Sequence, residues 1–373
     1  MKQMRRLGDS LDWDRLYFTM DEKLSNVVKE TFVRLYEQGL IYRGKRLVNW
    51  DPKLQSAVSD LEVENKEAKG HMWKIRFVSE DGKEEVFVET TRPETMFGDT
   101  ALAVHPEDDR FKHLLGKNFL APITGRLLPV VADEYIDREF GTGVMKVTPA
   151  HDFHDFEIGK RHGLDMINIL TKTAHMNENV PEKYRGLSCK EARKVVIEDL
   201  TAAGLFKEEE KITHPVGHCY RCHSVVEPYL SEQWFVKMKP LADKALKAWR
   251  DGEIVFYPKK WENTYQRWME GIRDWCISRQ LWWGHRIPAF YCDDCGEMTV
   301  SETDVCKCPK CGSANVRQDE DVLDTWFSSA LWPFTTLGWP EKTAELEKYY
   351  PTSVLVTGYD IITFWVSKMI FMG

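Results

Sequence analysis

No stretch of about eighteen apolar residues occurs anywhere in the chain, which excludes a membrane-spanning helix. The opening residues Met1-Lys2-Gln3-Met4-Arg5-Arg6 have no apolar run behind them, so no secretory signal is read there. Repeats of solenoid length and low-complexity tracts are also missing. Positive charge is in deficit: 51 Lys and Arg stand against 59 Asp and Glu, a formal net charge of −8. That argues against a histone-like grip on nucleic acid and leaves room for a local basic face. Nine cysteines is an odd number. In a chain read as cytoplasmic, they point to metal sites rather than a disulfide framework.

What the chain does have is length and one conspicuous polar stretch. Its 373 residues exceed a single compact core and imply two or three domains. The run Val86, Val88, Thr90 alternates with period two, as a half-buried strand does. Pro93 then removes a backbone donor and ends that strand near Arg92. A guanidinium and three threonine hydroxyls (Thr90, Thr91, Thr95) therefore gather at a strand end, where scaffolds present chemistry. Fifty residues on, Gly141-Thr-Gly-Val-Met-Lys-Val-Thr-Pro-Ala-His-Asp repeats the arrangement with Lys146 and Thr148 before Pro149. Two such ends read either as one shared pocket or as two edge strands with solvated tips.

Around these stretches the periodicity changes. Leu24, Val27, Val28, Phe32, Leu35 and Tyr36 have helical spacing, with Gly39 as the stop. Residues 46–49 read as a short buried strand ending at Trp50. Leu61 to Gly70 is dense in Glu and Lys and reads as an exposed crossing. Residues 71–170 read as short strands broken by Gly and Pro, a curled sheet or barrel. After Pro149 a helix is expected, with Asp152 and Asp155 three apart on one face of its first turn. They either cap the helix and complement its dipole, or aim into the pocket to bind a cation or ammonium. Ser188 to Leu205 reads as another amphipathic helix, ended by Gly204. Trp261, Trp268, Trp275 and Trp282, seven apart with Trp283 beside the last, predict one helical stripe of core packing.

Cys292-x-x-Cys295 and Cys308-x-x-Cys311, with Gly296 and Gly312 directly behind, have the spacing of two knuckles completing a tetrahedral zinc ribbon. Cys219-x-x-Cys222, flanked by His218 and His223, is half a site, for which a metal-free turn is the better reading. No activated Ser or Cys nucleophile is visible, so water is the expected attacker in any hydrolysis here.

Five motifs together resemble valyl-tRNA synthetases: Thr-Thr-Arg-Pro-Glu-Thr at 90–95, Lys-Val-Thr-Pro-Ala-His-Asp at 146–152, Cys-Ile-Ser-Arg-Gln-Leu-Trp-Trp-Gly-His-Arg-Ile-Pro at 276–288, Asp-Thr-Trp-Phe-Ser-Ser-Ala at 324–330 and Thr-Gly-Tyr-Asp-Ile at 357–361. The resemblance runs through the whole chain in the family's order. It implies an α/β protein in which a β-rich, barrel-like editing domain is inserted into an incomplete Rossmann-type catalytic core carrying a small zinc ribbon. The implied domains are 1–65 for partial core and the connection to the insert, 66–213 for editing, 214–290 for the return connection and the helical part of the core, 291–318 for the ribbon, and 319–373 for a second partial piece of the nucleotide-binding core. His-Ile-Gly-His is not found before residue 50, nor Lys-Met-Ser-Lys-Ser after residue 360. The chain is thus expected to lack both ATP signatures and to retain at most the editing activity.

The resemblance also implies chemistry. Such an enzyme joins valine to tRNA(Val) with ATP and magnesium, and its editing site hydrolyses threonyl-tRNA(Val). Editing is needed because an apolar pocket rejects a hydroxyl-bearing isostere only about a hundredfold, the figure known for the valine enzymes themselves. Asp152 and Asp155 would hold the substrate ammonium, and Thr95, Thr148 and Lys146 are candidate readers of the threonine hydroxyl. Arg92 would face the terminal adenosine or its phosphates, with Phe140 against the base. Trp326, Ile361 and Trp365 would wall the valine pocket, with Asp360 at the amino group or adenylate ribose. Where some members place a second cysteine pair, this chain has Asp51-Pro52-Lys53-Leu54, against metal at Cys219 and Cys222.

Two other classes compete. A metal-dependent hydrolase could use His151, Asp152, His154 and Asp155, although His151 and His154 would lie about 60° apart on a helix, with Asp152 about 100° to the other side. A non-catalytic RNA-binding module built on the ribbon is disfavoured by the acidic total.

Overall fold

The alternation Val86, Val88, Thr90 becomes the strand Glu85–Thr90, with those three side chains buried and Phe87 and Glu89 facing partly outward. The computed structural model describes residues 1–373 and divides into two compact units, Lys45–Glu232 and Met1–Gly44 together with Gln233–Gly373. The strands Ile41–Asp51 and Glu227–Val236 carry the chain from one unit to the other.

Lys45–Glu232 is built on a seven-stranded sheet. Its order runs Glu85–Thr90, Val63–Ser79, Asn118–Leu120, Leu127–Ala132, Ala101–Val104, Val144–Val147, with Phe206–Cys219 also paired to Val63–Ser79. Ala101–Val104 and Leu127–Ala132 are parallel, and the other pairs are antiparallel. The sheet curls into a half-barrel that brings its two ends together, and the Thr142 hydroxyl donates to the Phe87 carbonyl oxygen at 2.5 Å. The concave face buries Ile75, Phe77, Val88, Leu102, Phe119 and Leu128. Across it lies the helix Cys189–Ala202, started by a Ser188–Glu191 capping box and stopped by Gly204 at φ +67°. Its Ala192, Val196 and Leu200 recur every four residues and enter the same core, where each larger side chain contributes about 1.5–3 kcal/mol by burial.

In the other unit the helix Glu22–Glu37 buries Leu24, Val27, Val28 and Phe32, and Gly39 follows at φ +70°. Phe32 meets Trp234 edge-on at 5.3 Å in a core that includes Tyr265, Trp275 and Phe327.

Several expectations are corrected. The strand expected at 46–49 extends over Ile41–Asp51. Within the segment Leu61 to Gly70 only Glu64–Glu67 and Lys69 are exposed and Glu62 is buried, and most of the segment is the first half of the strand Val63–Ser79, laddered to Phe206–Cys219. Backbone pairing, which composition does not reveal, makes it a two-stranded ribbon. The tryptophan stripe does not exist as one helix face. The helix is only Glu262–Glu270 and stops at Gly271, Trp275 sits buried in a strand, and Trp282 and Trp283 are 94% and 69% exposed. Spacing predicts a stripe only while the helix continues. Strand pairs within this unit are antiparallel, and the apolar run Val354-Leu355-Val356 is exposed with no strand beside it. A parallel Rossmann layer is therefore not displayed by these residues, because a strand needs a hydrogen-bonded neighbour.

Candidate functional site

The two polar strand ends do share one site. Antiparallel pairing sets Leu102 opposite Lys146, while Pro93–Gly98 forms a 3-10 turn with proline at its start. That turn carries Thr95 over the sheet. Gly98 allows the approach, since a Cβ there would lie 2.9 Å from the Ile167 carbonyl oxygen and 3.1 Å from Thr148 Cγ2. Lys146 Nζ then donates to Thr95 Oγ1 at 2.8 Å, Thr148 Oγ1 at 2.5 Å and Asp99 Oδ1 at 3.2 Å. Thr148 Oγ1 donates to the same Asp99 oxygen at 2.5 Å, and Thr95 Oγ1 to the Arg92 carbonyl oxygen at 2.8 Å. All four side chains are buried.

The two carboxylates beyond Pro149 divide the roles offered to them. Asp152 is the N-cap of the helix Phe153–His162, accepting from the backbone N–H of His154 at 2.8 Å and of Asp155 at 3.1 Å. Its side chain remains exposed. Asp155 is buried, and its Oδ2 accepts the Thr148 backbone N–H at 2.7 Å. Burial first, and then the charge of Asp152, push the Asp155 carboxyl up to about 7.

Arg92 is held by acids that sequence reasoning missed. Its Nη2 donates to Glu227 Oε2 at 2.5 Å and its Nη1 to the His151 carbonyl oxygen at 3.1 Å, while Nε lies 3.7 Å from Glu94. Arg193 grips the fully buried Glu94 through two bonds, at 2.9 and 2.7 Å. Thr90 Oγ1 accepts the Arg92 backbone N–H at 3.1 Å, Thr91 is half-buried, and Phe140 is 71% exposed in the loop before Val144–Val147. Asp99 was missed as well. The available signal was an acid between the buried turn Met96-Phe97-Gly98 and the wholly apolar strand Ala101–Val104. Glu227 and Arg193 are far off in sequence, and nothing local marked them.

The set His151, Asp152, His154 and Asp155 is dispersed. His151 is buried with Nε2 accepting the Ile169 N–H at 2.9 Å, and burial with the charges of Arg92 and Lys146 holds it down at about 3. His154 stacks on Tyr135 at 4.7 Å. The groups whose ligand atoms converge lie elsewhere, so no metal site forms from these four.

Those groups are made of cysteines. Cys292, Cys295, Cys308 and Cys311 have all their ligand atoms within 4.8 Å, with Sγ separations of 3.5 Å (Cys292–Cys311) and 3.6 Å (Cys295–Cys308). A tetrahedron with Zn–S bonds of about 2.3 Å has edges of about 3.8 Å, so the donor set could hold zinc. The knuckles close through Gly296 N–H to the Cys292 carbonyl oxygen and Gly312 N–H to that of Cys308, both at 2.9 Å, with the glycines at φ +71° and +75°. Strands Ala289–Cys292, Met298–Val300 and Val316–Gln318 flank them. Cys219 and Cys222 converge only with Asp51. Its carboxylate accepts from Cys222 Sγ and Ser224 Oγ, each at 2.8 Å, and from the backbone N–H of Lys53 and Leu54. Three ligand atoms are one fewer than a closed structural site requires.

The residues expected to wall a valine pocket lie in the other unit. Trp326, on the helix Thr325–Ala330 capped by Asp324, packs on Phe364 at 5.4 Å. Trp365 Nε1 donates to the Ser329 carbonyl oxygen at 2.9 Å, which sets the two indoles on adjoining helices. Asp360 and Ile361 occupy the 3-10 turn Tyr359–Ile361, with Asp360 exposed.

The family model of tRNA synthetases class I (I, L, M and V) matches residues 1–373. A valine–tRNA ligase of Treponema denticola is 61% identical over 99% of this chain and 42% of its own length. One from Bdellovibrio bacteriovorus is 59% identical over 100% and 41%. Among solved structures, the LeuRS chain of an Agrobacterium radiobacter K84 ternary complex covers 99% of this chain and 51% of its own, at 18% identity and a TM-score of 0.42. The chain spans about two fifths of the length of the curated relatives it matches. With the whole of its sequence matched by the model, the chain belongs to the class I tRNA synthetases, and its curated relatives are valine–tRNA ligases.

Proposed function

We propose that this chain is the editing-bearing part of a valine–tRNA ligase, and that its Lys45–Glu232 unit hydrolyses threonyl-tRNA(Val). The observation that carries the reading is the buried cluster Thr95, Lys146, Thr148 and Asp99 beside Asp155. It offers fixed polar partners where an aminoacyl side chain bearing a hydroxyl would otherwise meet only an apolar wall. Asp152 and Asp155 lie next to it, and a substrate ammonium between them would relieve the repulsion that helps raise Asp155. Once ionised, Asp155 can take a proton from the attacking water, since a carboxyl near 7 suits a general base at neutral pH. Arg92, braced by Glu227 and Glu94, would turn toward the terminal nucleotide, with Phe140 packing on the base.

In the whole enzyme the ligation of valine would use ATP and magnesium, with Trp326, Ile361 and Trp365 around the valine side chain and Asp360 at its amino group or the adenylate ribose. Zinc bound by Cys292, Cys295, Cys308 and Cys311 would be structural, tying the ends of three short strands. Cys308→Ser is expected to release one equivalent of zinc and to lower the melting temperature of its unit. An unchanged metal content would defeat the ribbon assignment.

The editing reading is tested by deacylation of threonyl-tRNA(Val) beside valyl-tRNA(Val). Selective hydrolysis of the threonyl ester is expected, and Asp152→Ala should reduce it at least about tenfold through the lost ammonium contact. Loss of the helix cap contributes only about 1 kcal/mol of stability, so a variant that is folded but inactive isolates the chemical role. Equal hydrolysis of both esters would reject the reading of the cluster as a hydroxyl detector.

A further inference from the structure

The knuckle Cys219-x-x-Cys222 is a motif that the editing reading leaves without a task. Cys219 ends the strand Phe206–Cys219, opposite Val63. The chain then turns back on itself. The His223 N–H donates to the Cys219 carbonyl oxygen at 2.8 Å and the Cys219 N–H to that of Ser224 at 2.9 Å, with His223 at φ +59°. Both cysteines are free thiols, and their Sγ atoms lie within 4.8 Å of each other and of the Asp51 carboxylate. A tight turn holds Cα atoms three apart within about 7 Å, which is inside the reach of a disulfide.

Asp51 keeps the pair as thiols. Its Oδ1 accepts from the backbone N–H of Lys53 at 2.9 Å and of Leu54 at 3.0 Å and from Ser224 Oγ at 2.8 Å, and its Oδ2 accepts from Cys222 Sγ at 2.8 Å. A carboxylate has about four lone-pair sites, and these donors already fill them. The two thiols differ in access. Cys219 is wholly buried and packs with Val58 and Val226, whereas Cys222 is half-buried. We propose that Cys219 and Cys222 form a redox-active dithiol, entered through Cys222 and closed by Cys219, whose reaction partner is a low-molecular-weight disulfide. Cys222 gives up its proton and its sulfur attacks one sulfur of the partner. The partner's S–S bond breaks, and one half leaves as a thiol with that proton. Cys219 then attacks Cys222 Sγ, and the second half leaves as a thiol with the Cys219 proton. Two electrons and two protons have passed to the partner, which ends as two thiols. Oxidation withdraws the Cys222 donor from Asp51, while Oδ1 keeps Lys53, Leu54 and Ser224, so the strand end at Asp51 stays paired. The dithiol does not depend on the editing reading.

The test incubates the whole chain with excess glutathione disulfide, blocks the remaining thiols with N-ethylmaleimide in acid urea, and cleaves after glutamate. Cleavage at Glu210 and Glu227 releases Lys211–Glu227, whose only cysteines are Cys219 and Cys222. In the unchanged chain this peptide is expected to lose two hydrogens, to take up no maleimide and to carry no glutathione. Dithiothreitol should then restore both thiols. Cys219→Ser removes the closing thiol, so its peptide should instead retain one glutathione on Cys222. Cys222→Ser removes the entry thiol, and its peptide should carry no glutathione. Two maleimides on the peptide of the unchanged chain would overturn the proposal, since neither thiol has then reacted. A glutathione that stays on Cys222 of the unchanged chain would overturn it too, because Cys219 has then failed to close the bond. Both of these outcomes are read without any variant, so they stand even where a substitution prevents folding. Oxidation seen only when urea is present during the incubation would assign the reaction to the unfolded chain and reject the site.

Discussion

Asp155→Asn is expected to lower threonyl-tRNA(Val) deacylation by about a hundred- to ten-thousandfold, the range for removal of a positioned general base. The amide keeps the size and can still accept the Thr148 backbone N–H now received at 2.7 Å, so the strand end and its threonine should stay in place. What disappears is a carboxyl that burial and Asp152 have pushed up to about 7. Its pH dependence follows: kcat/KM of the parent should rise as pH passes upward through about 7, where the carboxylate forms, and level off above. The variant should lose that inflection. Stability should move the opposite way. A carboxyl raised in the folded state above its unfolded value of 3.8 favours folding in its protonated form, so that contribution is full below about 3.8 and is lost as pH rises through about 7. Asp155→Asn should therefore gain stability relative to the parent as pH climbs from 4 to 8 in urea-unfolding measurements. Activity within threefold of the parent would remove Asp155 from the chemistry.

A second large effect is expected in the other unit. Asp324 and Arg279 form an ion pair at 3.0 Å with both side chains 1% exposed. Asp324 Oδ2 also accepts the Trp275 indole N–H at 2.9 Å, and Oδ1 accepts the Trp326 backbone N–H at 3.2 Å as the helix cap. Arg279 Nη1 reaches the carbonyl oxygens of Cys276 and Ser278 at 2.8 and 2.9 Å. Asp324→Ala removes a buried carboxylate that lies 3.0 Å from the guanidinium and also holds the Trp275 indole and the helix cap, a change that costs about 3–5 kcal/mol. The loss should appear as an early unfolding transition followed through tryptophan fluorescence, since Trp275 and Trp326 both contact Asp324. The pair Asp324→Leu with Arg279→Met should cost less than the single change, because both charges of the buried pair are removed together. A single-change loss below about 1 kcal/mol would show that the guanidinium finds water or another partner.

These two sites differ in how far the sequence announced them. Around Asp155 the local signals marked the two strand ends and the helix start: proline after alternating residues at Thr90 and Val147, and an acid pair opening a helix. They did not say that Asp152 would cap the helix while Asp155 turned inward, because burial of a first-turn side chain depends on what packs over it. Asp324 was read only as part of a motif, and its role as counter-ion to Arg279 depends on a sheet that pairs Ser278–Arg279 with Val322–Leu323. The tryptophan period misled for the converse reason. A seven-residue spacing has meaning only along continuous helix, and Gly271 ends that helix after nine residues.

The sequence by itself determined the strand ends at Thr90 and Val147, the helices Glu22–Glu37 and Cys189–Ala202 with their glycine stops, and the zinc-like cysteine spacing. Each rests on interactions between residues a few positions apart, or on motifs whose spacing survives any fold. Only the tertiary structure decided that Asp99 meets Lys146 and Thr148, that Glu94 and Glu227 brace Arg92, and that Asp51 sits against Cys222. Those contacts join residues 47 to 171 positions apart, except the local Glu94–Arg92 pair. Their energy comes from removing charges and hydroxyls from water together, and that happens only once the half-barrel has closed around them.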